Sequence, residues 1–444
     1  MAEFDFAQII KWLESDIQVS GKVRGFKQNS REVLPADLFF ALKGEKVDGH
    51  DYLKEAAAKG AIGAVVSKAY QGESFGLKLI TVENVMESLQ KLAKTVHAKR
   101  SVRVIGVTGS VGKTTTKEFI ATLLEAKFRV GKTPGNANSQ VGVPLSILNS
   151  EGNEEIFVME MGMSLPHEIE KLVDIAPPEV SIITKIALAH AAFFPDGLEG
   201  IAAAKAEILS HPATRLGILN HQAIPFVAMQ KSKGPKMTFG LENEADESDF
   251  ILCREGSNFY AKEQEGRTSA FSLPFTASHL CENFIGAAAV ARAMEMQWSE
   301  IIPQALRLTV YARRFETIKR NGIVFINDSY NANLTSMKAA LTNLPVPRTG
   351  KKRIAVLGAM KELGAFTEQS HYEVAKMALS HIDYLLCLGE ECVTMAELFQ
   401  REGRAVEHFL EFDSIKKRVF ELAEEGDVVL LKGSHSKKLW QILE

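Results

Sequence analysis

The chain has 444 residues, of which 46% are hydrophobic and 24% charged, and its formal net charge is −3. This length predicts about three domains at roughly 150 residues each, and a nearly neutral chain without a basic block gives no reason to expect nucleic acid or an anionic membrane as a partner. No apolar run reaches the roughly 18 residues that span a bilayer, and the start lacks the basic segment of a signal peptide, so we expect a cytoplasmic protein with no membrane insertion.

The first hundred residues are predicted to form a small α/β unit. Two polar loops, at 29–31 and 43–50, lie between its elements. Taken alone, each loop has the composition of a surface turn, but an arginine and two glycines would also suit a phosphorylated ligand. The predicted elements are strands over 64–67 and 78–82 and helices over 51–59 and 84–100.

A strand, a glycine loop, Lys-Thr and a helix follow one another between residues 101 and 128. This order is typical of a P-loop, in which backbone N–H groups wrap phosphates, the lysine reaches the outer phosphates and the next hydroxyl holds Mg²⁺. The strict pattern has glycine where this chain has Val107, and the alternative is a tight turn with a surface lysine. The predicted nucleotide-binding residues are Gly109, Ser110, Gly112, Lys113, Thr114 and Thr115.

Candidate side chains follow two further predicted strands. Glu160 comes at the end of the strand at 155–159, and His190 comes shortly after the strand at 180–184. Ligands of doubly wound sheets bind outside the carboxyl ends of the strands, and a carboxylate near a P-loop threonine suits Mg²⁺. The alternatives are a glutamate that caps a helix and a structural histidine.

Other polar residues of the central part have no clear role from their pattern alone. Asn136 and Asn138 lie in a loop where they are turn residues or site residues. Lys205 lies in a helix predicted over 198–209, where a plain lysine would be solvated. Beyond it we predict a β-rich extension of the sheet over 215–280 and an alanine-rich helix over 284–294.

The last third is predicted to be a Rossmann-like βαβ series without the G-x-G-x-x-G fingerprint, so we predict no dinucleotide site there. The whole chain is therefore predicted to be α/β with three domains, a central P-loop doubly wound sheet and a C-terminal Rossmann-like domain. The predicted boundaries are 1–100, 101–311 and 312–444. The strands of the series are predicted at 323–326, 354–357, 384–388 and 428–431, and its helices at 335–344, from 371, at 393–399 and at 414–423.

The cysteines give no indication of a metal or disulfide site, because no pair has C-x-x-C spacing. We predict buried or incidental thiols in a reducing compartment. The four cysteines are Cys253, Cys281, Cys387 and Cys392.

Three stretches resemble one enzyme family. TGSVGKTTT resembles the ATP loop of the Mur ligase and folylpolyglutamate synthetase superfamily, which activates a carboxylate as an acyl phosphate. The segment at 29–66 resembles the N-terminal UDP-sugar-binding domain of the two Mur ligases that add the third residue or the terminal dipeptide to the peptidoglycan precursor. The run NDSYNANLTSMKAAL at 327–341 is similar to the signature of the dipeptide-adding member. Together these stretches and the order of the motifs cover nearly the whole chain.

The resemblance implies an ATP-dependent amide ligase that joins D-alanyl-D-alanine to UDP-N-acetylmuramoyl-tripeptide through an acyl phosphate. It implies ATP and two Mg²⁺ ions as cofactors, an N6-carboxylysine (carbamylated lysine) at Lys205, and a monomer. The implied catalytic residues are Lys113, Glu160, His190 and Lys205, and the implied metal ligands are Thr114, Glu160, His190 and Lys205. The implied further nucleotide contacts are Asn283, Arg314, Asp328 and Asn331. The implied substrate-binding residues are Ser30, Arg31, Asp48, Gly49, His50, Asn136, Asn138 and Asn333.

Five positions depart from the family pattern, and two alternative functions stay open. The first alternative is the Mur ligase that adds the third peptide residue, which the SYNAN run disfavours. The second is a nucleotide-dependent switch or binding protein that hydrolyses ATP slowly without an amine acceptor. The departures are Asn29 for Asp, Lys185 for Asn, Leu280 for Asn, Ala359 for Asp and His435 for Arg.

Overall fold

The computed structural model describes residues 3–245, 247–264 and 266–444, and its sheets follow one another in chain order. The first hundred residues contain a parallel four-stranded sheet and a two-stranded antiparallel ribbon. Their elements are β1 (Phe4–Asp5), α1 (Phe6–Trp12), β2 (Lys22–Val23), β3 (Gly25–Lys27), β4 (Asp37–Phe40), α2 (Leu53–Ala58), β5 (Gly63–Ser67), β6 (Lys78–Val82) and α3 (Val85–Ala98).

The central part contains a nine-stranded sheet. Its elements are β7 (Arg103–Thr108), α4 (Lys113–Leu124), β8 (Val130–Lys132), α5 (Gly142–Leu148), β9 (Ile156–Glu160), α6 (Glu168–Ile175), β10 (Val180–Ile183), α7 (Leu198–Ala206), β11 (Leu216–Asn220), α8 (Val227–Lys231), β12 (Lys236–Leu241), β13 (Phe250–Glu255), β14 (Asn258–Glu263), β15 (Gly266–Arg267), α9 (Ser278–Ala293) and α10 (Trp298–Ala305).

The strand order places a binding crevice at β7. The order is β15-β14-β13-β12-β11-β10-β7-β9-β8, and only the hairpin strands β14 and β15 are antiparallel to their neighbours. The chain continues from β7 to β8 and β9 on one side and to β10 on the other. Such a switch point leaves the crevice outside the carboxyl ends of the strands.

Successive residues of β7 face opposite sides of this sheet, as the pleat requires. Ile105 and Val107 are fully buried in the cluster that contains Phe119 of α4 and Phe284 of α9. Val104 packs in a second cluster, shared with Leu92 of α3, so the N-terminal unit covers that face. The P-loop strand is thus held in apolar packing from both sides.

The last third contains a six-stranded sheet in the order β16-β17-β21-β18-β19-β20, parallel except for β16. Its elements are β16 (Glu316–Arg320), β17 (Ile323–Asn327), α11 (Leu334–Thr342), β18 (Arg353–Gly358), α12 (Thr367–Ala378), β19 (Tyr384–Leu388), α13 (Val393–Arg401), β20 (Ala405–Phe409), α14 (Phe412–Leu422) and β21 (Val428–Lys432).

The predicted fold class is confirmed, and the buried strands were placed closely. Three helix predictions were wrong in their bounds. The alanine-rich helix predicted over 284–294 begins earlier, at Ser278, and ends at Ala293. The helix predicted over 198–209 ends at Ala206 and continues as a 3₁₀ turn, Glu207–Leu209. The helix predicted from 371 begins at Thr367, because its first turn is polar and gave no apolar signal. The described parts of the chain contain no helix of the length and apolarity that a membrane span requires.

Candidate active site

The P-loop turn between β7 and α4 admits only glycine at two positions. Gly109 and Gly112 have φ of +147° and +87°, a backbone region that side chains disfavour. A Cβ at Gly109 would lie 2.0 Å from Thr184 Oγ1, and one at Gly112 would lie 2.4 Å from Asn283 Oδ1. Val107, where the strict pattern has glycine, is instead a fully buried strand residue. The turn therefore begins later than the strict pattern requires.

Lys113 is the first residue of α4, and its ammonium donates to the carbonyl oxygen of Gly109 at 2.9 Å. Burial lowers the pKa of Lys113, the charge of Glu160 opposes that change, and the charge of Arg314 adds to it. The first backbone N–H groups of an α-helix such as α4 have no partner within the helix. Such a helix start favours a bound phosphate.

Glu160 is almost completely buried at the end of β9, and several donors hold its carboxylate. Thr114 Oγ1 donates to Oε2 at 2.8 Å, and Asn138 Nδ2 donates to Oε1 at 2.6 Å. The backbone N–H of Glu160 donates to Thr133 Oγ1 at 3.0 Å. A hydroxyl oxygen beside a carboxylate is a donor set that fits Mg²⁺.

Glu160, His190 and Lys205, three of the four predicted metal ligands, do not form a metal site with unmodified side chains. Across residues 3–245, 247–264 and 266–444, no three histidine, cysteine, aspartate or glutamate side chains lie close enough to hold a metal ion. Glu160 and His190 both line the cavity, but the third predicted ligand, Lys205, is an amine that does not line it. A protonated amine has no lone pair to offer a cation, and Mg²⁺ prefers oxygen ligands to a neutral amine.

Lys205 is an unusually placed lysine. It is 2% exposed in α7, and no hydrogen bond or ion pair to its ammonium is present in the described part of the chain. Burial lowers its pKa well below the usual value, the charge of Lys113 adds to this effect, and Glu207 opposes it. A buried amine of this kind is neutral and nucleophilic more readily than a surface lysine.

His190 extends from the central part toward the C-terminal domain. Its Nδ1 lies 2.5 Å from Glu362 Oε2. Burial lowers the pKa of His190, Glu362 opposes that change, and the charges of Lys113 and Lys205 add to it. Lys113 and Lys205 therefore lie close enough to His190 for their charges to affect its protonation.

The C-terminal domain reaches the P-loop through Arg314. Its NH2 group donates to Thr114 Oγ1 at 3.0 Å, and its guanidinium stacks on the ring of Tyr330 at 3.8 Å. Asp328 Oδ2 accepts from Lys432 Nζ at 2.6 Å. Burial lowers the pKa of Lys432, and Asp328 opposes that change.

These elements enclose a cavity of about 670 Å³. The site residues predicted from the sequence divide into two groups. Fourteen of them line this cavity, whereas Gly109 and Lys205 do not line it directly, and the N-terminal candidates lie outside it. The lining residues are Ser110, Gly112, Lys113, Thr114, Thr115, Asn136, Asn138, Glu160, His190, Asn283, Arg314, Asp328, Asn331 and Asn333.

The N-terminal candidates form a hydrogen-bonded loop. His50 Nε2 accepts from the backbone N–H of Ser67 at 3.0 Å, so Nδ1 carries the proton that is donated to Asp48 at 2.6 Å. The backbone N–H of His50 also donates to Asp48 Oδ1 at 3.0 Å, and this bond together with the side-chain bond from His50 lowers the pKa of Asp48. A Cβ at Gly49 would lie 2.7 Å from backbone atoms of Leu42.

The loop around Ser30 is likewise held by local bonds. Ser30 Oγ donates to Glu55 at 2.7 Å, and Lys59 Nζ donates to the carbonyl oxygen of Arg31 at 2.5 Å. Asn29 accepts from the N–H of Arg31 at 3.1 Å, a bond that the family's aspartate would also make. The guanidinium of Arg31 has no hydrogen-bond partner among the described residues.

Sequence reasoning missed two buried residues of the site. Lys117 is fully buried, and its ammonium donates to the carbonyl oxygens of Thr133 at 2.7 Å and Gly135 at 2.5 Å. Its Nζ also lies 3.1 Å from Glu118 and 3.9 Å from Glu160. Its spacing of three from Thr114 was the available signal, because such residues share a helix face.

Glu282 is the second missed residue, and it explains the departure from the family pattern at Lys185. Its carboxylate pairs with Lys185 at 3.2 Å and accepts from Asn220 at 2.9 Å. All three side chains line the cavity. The lysine that replaces the family's asparagine is therefore neutralised by a nearly buried partner. Leu280 and His435 also line the cavity, whereas Asn29 and Ala359 do not.

Comparison with known proteins gives consistent matches along the whole chain. The Mur ligase catalytic-domain model matches residues 22–97, the Mur ligase middle-domain model matches 107–291, and the Mur ligase glutamate ligase domain model matches 313–435. UDP-N-acetylmuramoyl-tripeptide–D-alanyl-D-alanine ligase of Bacillus subtilis is 33% identical over 95% of this chain and 93% of its own length.

Two solved structures have the same overall fold. A MurF ligase from Thermotoga maritima in complex with ADP is 28% identical, with a TM-score of 0.79 over 95% of this chain and 96% of its own. A MurF structure from Acinetobacter baumannii has a TM-score of 0.86 at 24% identity and covers 100% of this chain and 98% of its own. The second likeness concerns the fold alone.

Proposed function

The chain belongs to the Mur ligase family, and we propose that it joins D-alanyl-D-alanine to UDP-N-acetylmuramoyl-tripeptide at the expense of ATP. The observation that carries this proposal is the meeting of the P-loop, Glu160 and Arg314 at one cavity. The names of its relatives, and the ADP bound to the Thermotoga protein, supply the substrate class and nucleotide.

The reaction has two steps. An oxygen of the tripeptide's terminal carboxylate attacks the γ-phosphorus of ATP, the bond to ADP breaks, and an acyl phosphate forms. The neutral amine of D-alanyl-D-alanine then attacks the acyl carbon, phosphate leaves with the former C–O bond electrons, and the amine loses a proton.

Catalysis of this kind rests on positioning and on neutralising charge. Lys113 and the N–H groups that begin α4 would hold the outer phosphates of the nucleotide. Mg²⁺, held by Thr114 and Glu160, would neutralise phosphate charge when bound. Arg314 would add a cation from the C-terminal domain, so the site is complete only when both domains meet.

We propose that Lys205 is carbamylated by carbon dioxide. Its burial and lowered pKa favour the neutral amine, which forms an N–C bond to CO₂ and releases one proton. The product is an anion near the cation Lys113, and it would join Glu160 and His190 in holding a second Mg²⁺. Incubation with ¹³C-bicarbonate should give a carbamate signal that the variant Lys205→Gln lacks; a wild-type spectrum without that signal would contradict the proposal.

The remaining assignments rest on position in the fold. We propose domains at 1–100, 101–311 and 312–444, the first for the UDP-sugar through Ser30, Arg31, Asp48, Gly49 and His50. Asp328, Asn331 and Asn283 would contact the nucleotide, and Asn136, Asn138 and Asn333 the peptide substrates. All four cysteines are free and buried, which supports a cytoplasmic protein. We also propose that the protein is a monomer.

An ADP-release assay tests this function against both alternatives. We expect release of ADP only when tripeptide precursor and D-alanyl-D-alanine are both present. Release that needs a diamino acid instead would assign the chain to the ligase that adds the third residue. Slow release without any acceptor would indicate a nucleotide-dependent switch.

A further inference from the structure

The ring of His190 is held by a carboxylate from another domain. Glu362 lies in the loop after β18, and its Oε2 lies 2.5 Å from His190 Nδ1. The same residue accepts through its backbone, since Ala192 N donates to the carbonyl oxygen of Glu362 at 3.1 Å. Two bonds from one residue therefore fix the loop that carries His190.

The two loops also fit each other closely. His190 and Glu362 both have positive φ, +57° and +63°, which is uncommon for residues with side chains. Gly364 follows at +56°, and a Cβ there would lie 3.2 Å from Ala192 Cα. Both loops must adopt an uncommon backbone conformation to make this contact. The contact is therefore more specific than a simple pairing of two exposed charges.

The bond to Glu362 determines which ring nitrogen is free. A carboxylate only accepts hydrogen bonds, so the proton of a neutral His190 ring must be on Nδ1. Nε2 then keeps its lone pair, and the His190 side chain lines the cavity. Histidines that hold metal ions commonly have this arrangement, with a carboxylate on the other ring nitrogen.

We propose that Glu362 is a positioning residue that fixes His190 as the Nδ1–H tautomer, so that its Nε2 is offered to the cavity only while the C-terminal domain is docked. This inference rests on the proposed role of His190 in the ligase site. It adds to that role a dependence on domain docking, because His190 becomes available as a ligand through its contact with Glu362. By linkage, whatever binds Nε2 would stabilise the docked arrangement.

The pair contributes little to stability, so its role can be separated from folding. The side chains are 29% and 53% exposed, and exposed ion pairs are worth at most about 1 kcal/mol. Glu362→Ala should therefore fold normally. Glu397→Ala is the matched control, since Glu397 is an exposed acid on α13 of the same domain.

The test is the tautomer of His190 by ring ¹⁵N NMR of the full chain, with its signal assigned through His190→Gln. We expect Nδ1–H in the wild type and in Glu397→Ala, and mainly Nε2–H in Glu362→Ala. Glu362→Gln should keep Nδ1–H, because the amide oxygen still accepts. An Nε2–H signal in the wild type, or an unchanged tautomer in Glu362→Ala, would overturn the inference whether or not the chain ligates.

A kinetic measurement gives a second readout. Glu362→Ala should raise the Mg²⁺ concentration for half-maximal ADP release by about 10- to 100-fold, the usual effect of losing such a partner. In the His190→Gln background the same substitution should have no further effect. Equal losses in both backgrounds would mean that Glu362 acts independently of His190, against the proposal.

Discussion

Thr114 donates its hydroxyl to Glu160 across 2.8 Å, and this bond joins the first turn of the P-loop helix to the end of the neighbouring strand. Both residues are almost completely buried, with exposed fractions of 2% for Thr114 and 1% for Glu160. A buried carboxylate held beside a hydroxyl is a preformed place for a hard cation.

Replacing Glu160 by glutamine keeps the bond from Thr114 and removes one negative charge. The attraction between two unit charges 4 Å apart is about 4 kcal/mol at an effective dielectric constant of about 20. We therefore expect the half-saturating Mg²⁺ concentration to rise at least about tenfold. Glu155→Gln, at the opposite end of the strand, is the control. An unchanged Mg²⁺ titration for Glu160→Gln would count against this metal site.

Lys113→Ala should lower turnover by at least about 10³-fold, the scale of lost charge stabilisation in phosphoryl transfer. The reason is that no other side chain of α4 offers a cation to the turn formed by Gly109 and Gly112. Steady-state ADP release measures the effect, with the exposed Lys233→Ala as the control. A loss of less than tenfold would contradict the assigned role.

Lys117→Met should destabilise the chain by about 3–5 kcal/mol, because it leaves a buried carboxylate and two carbonyl groups without their cation. The affected partners are Glu160, Thr133 and Gly135. Urea unfolding measures the change, and Lys376→Met, at an exposed position of α12, is the control. A difference below about 1 kcal/mol in the free energy of unfolding would mean that Lys117 contributes little to stability.

His279 predicts a pH dependence of stability. It packs edge-on against Phe315, and burial lowers its pKa to about 4, below the usual value of about 6.5. Between these values the unfolded chain binds a proton that the folded chain does not, so stability falls as pH is lowered from about 6.5 to about 4, by about 3 kcal/mol in total. The urea midpoint of wild type should fall relative to that of His279→Gln as pH is lowered through this range; parallel curves would contradict the prediction.

Several parallel strands could be predicted because they are buried on both faces, although β4, whose four residues are all buried, was missed. β7, β9, β10 and β21 are continuous apolar runs, and their positions followed from composition alone. The edge strands β8, β16 and β20 were missed, since their side chains are largely half-exposed or exposed and show no apolar alternation.

The candidate site was predicted where residues follow strand ends or a glycine turn. Lys113, Glu160 and His190 fall into that class, and the structure brings them to one cavity. Glu282 and Glu362 could not be found this way, because each acts through a residue distant in sequence, Lys185 and His190. Such pairs are set by tertiary packing, which local patterns do not encode.

The most direct test of the account is formation of the amide bond itself. Purified protein is incubated with ATP, Mg²⁺, UDP-N-acetylmuramoyl-tripeptide and D-alanyl-D-alanine, and the nucleotide-sugar products are identified by mass spectrometry. The account predicts a UDP-linked pentapeptide formed together with ADP and phosphate. Consumption of ATP without that product, or no reaction with all components present, would contradict it.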